Sequence, residues 1–438
     1  MLSQADNELL TRVGPGTPMG NLLRQYWQPV LYSEELEPDG NPERVRLLGE
    51  DLIAFRDTDG RPGLLGNHCP HRGASLFFAR NEQCGLRCVY HGWKFDVTGQ
   101  CVDMPNEPPE SNFKDKIKHV AYPCREQGGV IWTYLGPRAE PPPLPELEWA
   151  VLPERHRRHA WRAIRECNWV QAMEGDIDTS HAFILHGSLT PAADGESSRG
   201  FFHRDKAPRL FILDTDVGVM YGSRRDEGPD SYYWRSSQFL IPNLTMFPAD
   251  RDNVVPGHVW VPMDDEHSLI WCFAWHPTRE LTDSERDGYS SSGAVSEVWK
   301  PNAGPDEMLP PQAGRPYPRS WAAANPRNDY RVDREQQRAS SFTGIATIPL
   351  QDDAMITGMG AIANRAIEHL GTADAMIIRV RRFLLAAARA LRDHGTVPPG
   401  VDNPAGYRKR SAQIILPRDV AWNEALLGWH EARRDSLV

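Results

Sequence analysis

Residues 69–76 read C-P-H-R-G-A-S-L, and residues 88–95 read C-V-Y-H-G-W-K-F. Each stretch offers one thiol and one imidazole: Cys69 with His71 at C-x-H spacing, and Cys88 with His91 at C-x2-H spacing. Two thiolates and two imidazoles are the ligands of a [2Fe–2S] cluster in which histidines replace cysteines on one of the two irons. A tetrahedral zinc site is the competing reading, but zinc fingers place both cysteines before both histidines. Here the types alternate, so two short loops can bracket a binuclear cluster from opposite sides. His68 is read as structural, because the C-x-H unit already supplies an imidazole. Tyr90 and Trp93 are read as packing that limits water access to the cluster.

A chain of 438 residues has room for two or three domains, each with a core. Its net charge of −10 excludes a general nucleic-acid or anionic-membrane binder, which needs a basic face. No apolar run follows Met1, and no segment is apolar for long enough to cross a bilayer, so the expected location is cytoplasmic. The seven cysteines are odd in number, which argues against a disulfide framework. Those outside the two pairs are read as small buried hydrophobes.

The organisation follows from composition. Residues 1–28 form a polar, then Gly- and Pro-punctuated N-terminal extension. Residues 29–138 carry short β-branched and aromatic runs with turns at D-T-D-G (57–60) and D-V-T-G (96–99), an all-β domain from which the two cysteine loops protrude. The proline-rich stretch A-E-P-P-P-L-P-E-L (139–147) opens a second domain, 139–438. Strand-like runs at 209–214, 217–222, 231–241, 257–262 and 267–275 predict an antiparallel sheet there, while 277–343 reads as irregular. Helices are expected over Asn168 to Ile184 and over Ala373 to Arg392, the latter with Ile377, Val380, Phe383, Leu384, Ala387 and Leu391 near one face. The class is α+β.

A second cluster of ligating residues lies at 174–187, E-G-D-I-D-T-S-H-A-F-I-L-H-G. Asp178, His181 and His186 stand at D-x2-H-x4-H spacing. Histidines five apart do not share a face of an unbroken helix, so ligation requires local unwinding or a π-type bulge. Two imidazoles and one carboxylate on one face of an iron, with open positions opposite, make a non-haem Fe(II) oxygenase site. The carboxylate must come from elsewhere. Asp352 in I-P-L-Q-D-D-A-M is the candidate, with its neighbour Asp353 as competitor.

On these motifs the chain resembles the α subunits of Rieske non-haem iron aromatic-ring oxygenases, over essentially its whole length. The resemblance rests on both cysteine loops, on N-W-V-Q-A-M-E-G-D-I-D-T-S-H-A-F-I-L-H (168–186) and on Q-D-D-A (351–354). V-G-P-G-T-P-M-G-N-L-L-R-Q-Y-W (13–27) and N-R-A-I-E-H-L-G-T-A-D (364–374) make it most similar to the phthalate dioxygenase group. The resemblance implies a Rieske β-domain followed by a helix-grip catalytic domain, an antiparallel sheet wrapped round a long C-terminal helix. It implies Cys69 and Cys88 on one cluster iron, His71 and His91 on the other, and His181, His186 and Asp352 on a mononuclear Fe(II). Asp178 becomes the carboxylate linking His181 to the cluster histidine of a neighbouring subunit, in a homotrimer or stacked-trimer homohexamer. A separate reductase, flavin- and ferredoxin-type, supplies electrons from a nicotinamide cofactor. The implied reaction is O2-dependent cis-dihydroxylation of an aromatic carboxylate, with monooxygenation, including O- or N-dealkylation, as the alternative. Arg209 and Arg235 are the arginines expected to bind that carboxylate as a bidentate fork, with Arg199 and Arg204 as further possibilities. A Rieske electron carrier with a mere binding domain has no use for Asp178, His181 and His186, and a zinc hydrolase would want H-E-x-x-H, which is missing.

Overall fold

A computed structural model describes residues 2–187, 189, 205, 207–287 and 308–432. Two short helices come first, α1 (Gln4–Thr11) and α2 (Pro18–Leu23). Ser3 caps α1 by accepting from Asp6 N–H, and Thr17 caps α2 by accepting from Gly20 N–H. The extension is tied to both halves: Arg24 Nη2 donates to Leu48 O and to Glu50 Oε1 of the β domain, both at 2.8 Å. Asn7 Nδ2 donates to Ala363 O at 3.1 Å and Tyr26 OH to Pro399 O at 2.8 Å, tying it to the C-terminal half.

The β domain runs through β1 (Trp27–Tyr32), β2 (Glu43–Leu47), β3 (Glu50–Arg56), β4 (Pro62–Gly66), β5 (Arg80–Glu82), β6 (Gly85–Arg87), β7 (Lys94–Phe95), β8 (Cys101–Asp103), β9 (Ala121–Tyr122), β10 (Cys124–Gln127) and β11 (Val130–Tyr134). They build three sheets, β1-β11-β10, β2-β3-β4-β9 and β5-β6-β7-β8. The turns expected at 57–60 and 96–99 join β3 to β4 and β7 to β8, with Gly60 at φ +80° and Gly99 at φ +79°. The cysteine loops stand on a small apolar core of their own, which includes Ile53, Phe55, Leu65, Leu76, Leu86 and Phe95.

The second half is one antiparallel sheet, formed by β12 (Arg157–Arg165), β13 (Arg209–Thr215), β14 (Gly218–Glu227), β15 (Ser231–Leu240), β16 (Leu244–Met246), β17 (Val255–Pro262), β18 (Ser268–Trp275) and β19 (Ala412–Pro417). Its order is β12-β18-β17-β16-β15-β14-β13, and β19 pairs with the first half of β15. Three more helices matter: α3 (Trp169–Ile177), α4 (Ile348–Gly358) and α5 (Ala375–His394). Met376, Val380, Leu384 and Ala388 of α5 are fully buried, and Phe383 meets Phe239 of β15 edge-on at 6.4 Å between centroids. Each such aliphatic side chain contributes on the order of 2 kcal/mol by leaving water. Gly395, at φ +65°, ends the helix by donating back to Leu391 O and freeing the chain to turn.

Alternation then fixes the faces. Phe239 shares its side of the sheet with Arg235 and Ser237, so this inner side faces α5. Trp234 lies on the outer side, stacked on Trp422 of the C-terminal segment with centroids 5.5 Å apart. At the other end of the sheet the outer side carries the β domain. There Arg162 of β12 makes a bidentate pair with Glu35, both contacts at 2.7 Å, and Tyr32 stacks on His159 at 4.8 Å.

Candidate metal centres

Each cysteine loop closes on itself in the same way. Cys69 N–H donates to Ala74 O and Cys88 N–H to Trp93 O, both at 2.8 Å. Gly73 and Gly92, each four residues after its cysteine, donate back to that cysteine's carbonyl and hold φ at +75° and +80°. A Cβ at Gly92 would stand 2.5 Å from Pro105, so that glycine is needed for space as well as for angle. Arg87 braces the second loop by donating to Gly92 O at 2.8 Å and Asp103 at 2.7 Å. The result brings together what the sequence paired. His71 and His91 lie with centroids 4.4 Å apart, and Cys69 and Cys88 are both buried.

Burial pushes the Cys69 thiol up to about 11, with Cys88 close enough to add to the rise. Two thiolates cannot share such a place without a cation between them. His71 Nδ1 is buried and has no hydrogen-bond partner among the described residues. An orphaned imidazole nitrogen beside two buried thiols fits a cluster held by two sulfurs and two nitrogens. Trp93 stacks on His71 at 4.5 Å and is fixed by donating to Asn106 Oδ1 at 2.8 Å. His68 is exposed, with its Nδ1 at 3.1 Å from Gly73 O.

The second site forms where α3 gives out. The expected helix to Ile184 ends at Ile177, because Asp178 turns extended (ψ 115°) and accepts from Ser180 N–H at 2.7 Å. No π-bulge is used: His181 opens a separate 3-10 turn, His181–Phe183, and His186 follows on the next turn. The unwinding turns both imidazoles toward α4. His186 Nε2 lies 3.2 Å and His181 Nε2 3.5 Å from Asp352 Oδ1, and a single donor atom from each residue falls within 4.8 Å of the others. Asp353, one residue on, faces away and pairs with Arg165 of β12 at 2.6 Å. Burial raises its carboxyl to about 7, against the pull of Arg165. Asp352 is instead held below the usual carboxylate value: burial opposes this, but His186 and His181 outweigh it.

Both outer nitrogens are engaged. Asp178 Oδ2 sits 3.2 Å from His181 Nδ1, and Gln351 Oε1 sits 2.7 Å from His186 Nδ1. With Nδ1 taken, each ring offers Nε2 as its free lone pair, toward one carboxylate oxygen. Two imidazoles and a carboxylate, with no fourth protein ligand among the described residues, fit an open Fe(II) site.

The sheet's inner side adds residues that sequence patterning did not single out. Arg225 on β14 is almost wholly buried and leans on Thr179, with Nη2 3.4 Å from its carbonyl oxygen. Ser223 pairs with Arg235 across β14–β15, so Arg225 and Arg235 share one side. Burial, with a smaller contribution from Arg235 nearby, lowers the Arg225 pKa to about 10. Arg209 is a correction: it pairs with Arg224, on the outer side, and is exposed, so it cannot line one cavity with Arg235. Arg199 and Arg204 lie outside the described residues. Asp176 Oδ2 accepts from Thr245 Oγ1 (2.5 Å), Trp260 Nε1 (2.7 Å) and His258 Nδ1 (2.8 Å), which moors the end of α3 to the sheet.

Comparison with known proteins bears on both halves. A model of the Rieske [2Fe-2S] domain matches residues 26–121, and a model of domains like the LigXa C-terminal domain matches residues 133–291 and 317–435. The chain is 40% identical to the 3-chlorobenzoate-3,4-dioxygenase oxygenase subunit of Comamonas testosteroni, over 99% of both chains. It is 38% identical to the phthalate 4,5-dioxygenase oxygenase subunit of Pseudomonas putida, over 97% of this chain and 94% of that one. Its backbone resembles the oxygenase in the reduced oxygenase–ferredoxin complex of carbazole 1,9a-dioxygenase, with a TM-score of 0.55 at 18% identity, over 91% and 96% of the two chains. Among the described residues no helix is long and apolar enough to cross a membrane.

Proposed function

The chain belongs to the Rieske non-haem iron oxygenases, and from that premise we propose that it is the oxygenase component that cis-dihydroxylates an aromatic carboxylate. The observation that carries the reaction class is the convergence of His181, His186 and Asp352 in a chain that also holds a Rieske domain. Cys69, Cys88, His71 and His91 hold the cluster, and His181, His186 and Asp352 hold the mononuclear iron. When bound, the cluster supplies single electrons and the mononuclear iron supplies the site of O2 activation. The residues of the chain do the rest. Asp178 and Gln351 orient the two imidazoles. Arg225 and Arg235, on the inner side of the sheet with Arg225 against the metal loop, draw in an anion and orient its ring. Both named relatives act on benzoate-type acids, which favours a carboxylate substrate and dihydroxylation over dealkylation.

The partners follow from the same reading: a flavin- and ferredoxin-type reductase, and further copies of the chain, as a trimer or stacked-trimer hexamer in the cytoplasm. Exposed apolar side chains beside each centre support the assembly: Val89 and Tyr90 on the cluster loop, Ile184, Met355 and Met359 on the mononuclear side. Asp178 then bridges from His181 toward a neighbour's His91. Asp178→Asn is expected to keep both metals and lose turnover by at least about tenfold, as removal of an outer partner of a metal-bound histidine does. Turnover close to wild type would argue against the bridge.

The function is tested with a panel of benzoate, 3-chlorobenzoate and phthalate, scored by O2 uptake with reductase and by product mass. A gain of two hydroxyls is expected. No uptake with any of them, by protein carrying both metals, would overturn the carboxylate reading. Arg225→Met is expected to cut kcat/KM for the acid that turns over by about 10- to 100-fold, the worth of a charged hydrogen bond, and to leave the matching benzamide little changed.

A further inference from the structure

The two histidines of the mononuclear site are supported by unlike partners, a carboxylate behind His181 and an amide behind His186. We propose that Gln351 is a positioning residue that fixes the tautomer of His186 and, by being an amide, keeps a second negative charge out from behind the site. This rests on the reading that His181, His186 and Asp352 hold iron.

A glutamine can present either its oxygen or its NH2 group, and the choice here is dictated from the other end. Gln351 Nε2 donates to Ile345 O at 2.8 Å, so Oε1 is the atom left to face His186. An oxygen can only accept, so His186 carries its proton on Nδ1, at 2.7 Å, and keeps the lone pair on Nε2. That Nε2 is the atom 3.2 Å from Asp352 Oδ1. Gln351 is buried, which makes its bonds costly to lose. It also stands one residue before Asp352 on α4, so one turn of helix delivers both the carboxylate and the support for the opposite imidazole. Adjacent helical residues point about 100° apart, which lets Asp352 meet the inner nitrogens while Gln351 reaches the outer one.

The charge count gives the amide its purpose. Of the carboxylates in contact with the two imidazoles, Asp352 and Asp178 together balance a divalent iron. A carboxylate at 351 would add a third negative charge and make the second imidazole as strongly basic as the first. The amide orients His186 without doing so, leaving His181, on the Asp178 side, the more strongly polarised of the two.

The test compares full-length wild type, Gln351→Leu and Gln351→Glu, each with its cluster absorbance recorded. Ferrous iron is titrated into the mononuclear site against a chelator, and the nitric oxide adduct is followed by EPR. Gln351→Leu is expected to bind ferrous iron about 10- to 100-fold more weakly with unchanged cluster absorbance. Gln351→Glu is expected to restore part of the affinity, because its oxygen can accept from Nδ1–H although it no longer donates to Ile345 O, and to shift the adduct's EPR signal through the added charge. Affinity of the Leu variant within about twofold of wild type would overturn the proposal, as would equal loss in both variants, since only a packing role is indifferent to a restored acceptor. Wild type that binds no ferrous iron at all would instead overturn the three-ligand reading beneath it.

Discussion

Asp352→Ala is expected to take the purified protein from about three irons per chain to about two, leaving the cluster's visible spectrum and abolishing turnover. Asp353→Ala is expected to do something different. Asp352 faces both Nε2 atoms, whereas Asp353 pairs with Arg165, whose side chain is 5% exposed. Removing the Asp353 carboxyl leaves that guanidinium buried against Trp161 without its partner, a change that costs about 3–5 kcal/mol above pH 7, where the carboxyl is ionised. The two neighbouring aspartates therefore separate into two phenotypes, loss of a metal and loss of stability. Iron content and thermal unfolding, measured side by side, check the assignment. Loss of the third iron in Asp353→Ala at a temperature where the protein remains folded would reverse it.

The contrast between these neighbours also marks where sequence reading stops. The cysteine loops were legible because ligation imposes spacing and each loop closes through a glycine at a fixed offset. Asp352 against Asp353 was not legible, since one step along a helix turns a side chain by about 100° and no pattern in I-P-L-Q-D-D says which way the helix is rolled. Gln351 opens Q-D-D-A, but its role was hidden for the same reason, since nothing in the motif says which way its amide faces. Arg209 failed through register. Arg209 and Arg235 looked equivalent at strand starts, but alternation sends them to opposite sides, while Arg225 sat unremarked in S-R-R-D-E. Strand β12 was missed outright because R-R-H-A-W-R-A-I-R looks like surface. Its arginines are buried by partners far off in sequence, Glu35 for Arg162 and Asp353 for Arg165, and no local pattern carries that information.

Glu174→Ala is expected to destabilise the catalytic half by about 3–5 kcal/mol, because it breaks a buried ionic network. Glu174 sits on α3 and receives Arg381 of α5 at 2.6 and 2.9 Å, with Arg365 at 3.3 Å. Arg381 also binds Glu368, and Arg365 reaches Asn7 of the N-terminal extension. The network thus joins the helix that leads into the metal loop to the long helix, to the 363–368 segment and to the extension. Burial alone would raise the Glu174 carboxyl, but Arg365 and Arg381 outweigh it and hold the pKa below its ordinary value of 4.5. A carboxylate depressed in the folded state stabilises above its unfolded pKa and stops doing so as pH falls through the folded value. Wild type should therefore lose this contribution only below about pH 4.5, while Glu174→Ala lacks it at neutral pH. Adding Arg381→Met to Glu174→Ala is expected to cost less than the sum of the two single losses, since each single variant already breaks the Glu174–Arg381 pair, while Arg381 in Glu174→Ala still keeps Glu368. Denaturant unfolding of the single and double variants reads the coupling. Strictly additive losses would show that the two residues stabilise the fold separately, and that α3 is held to α5 by apolar packing alone.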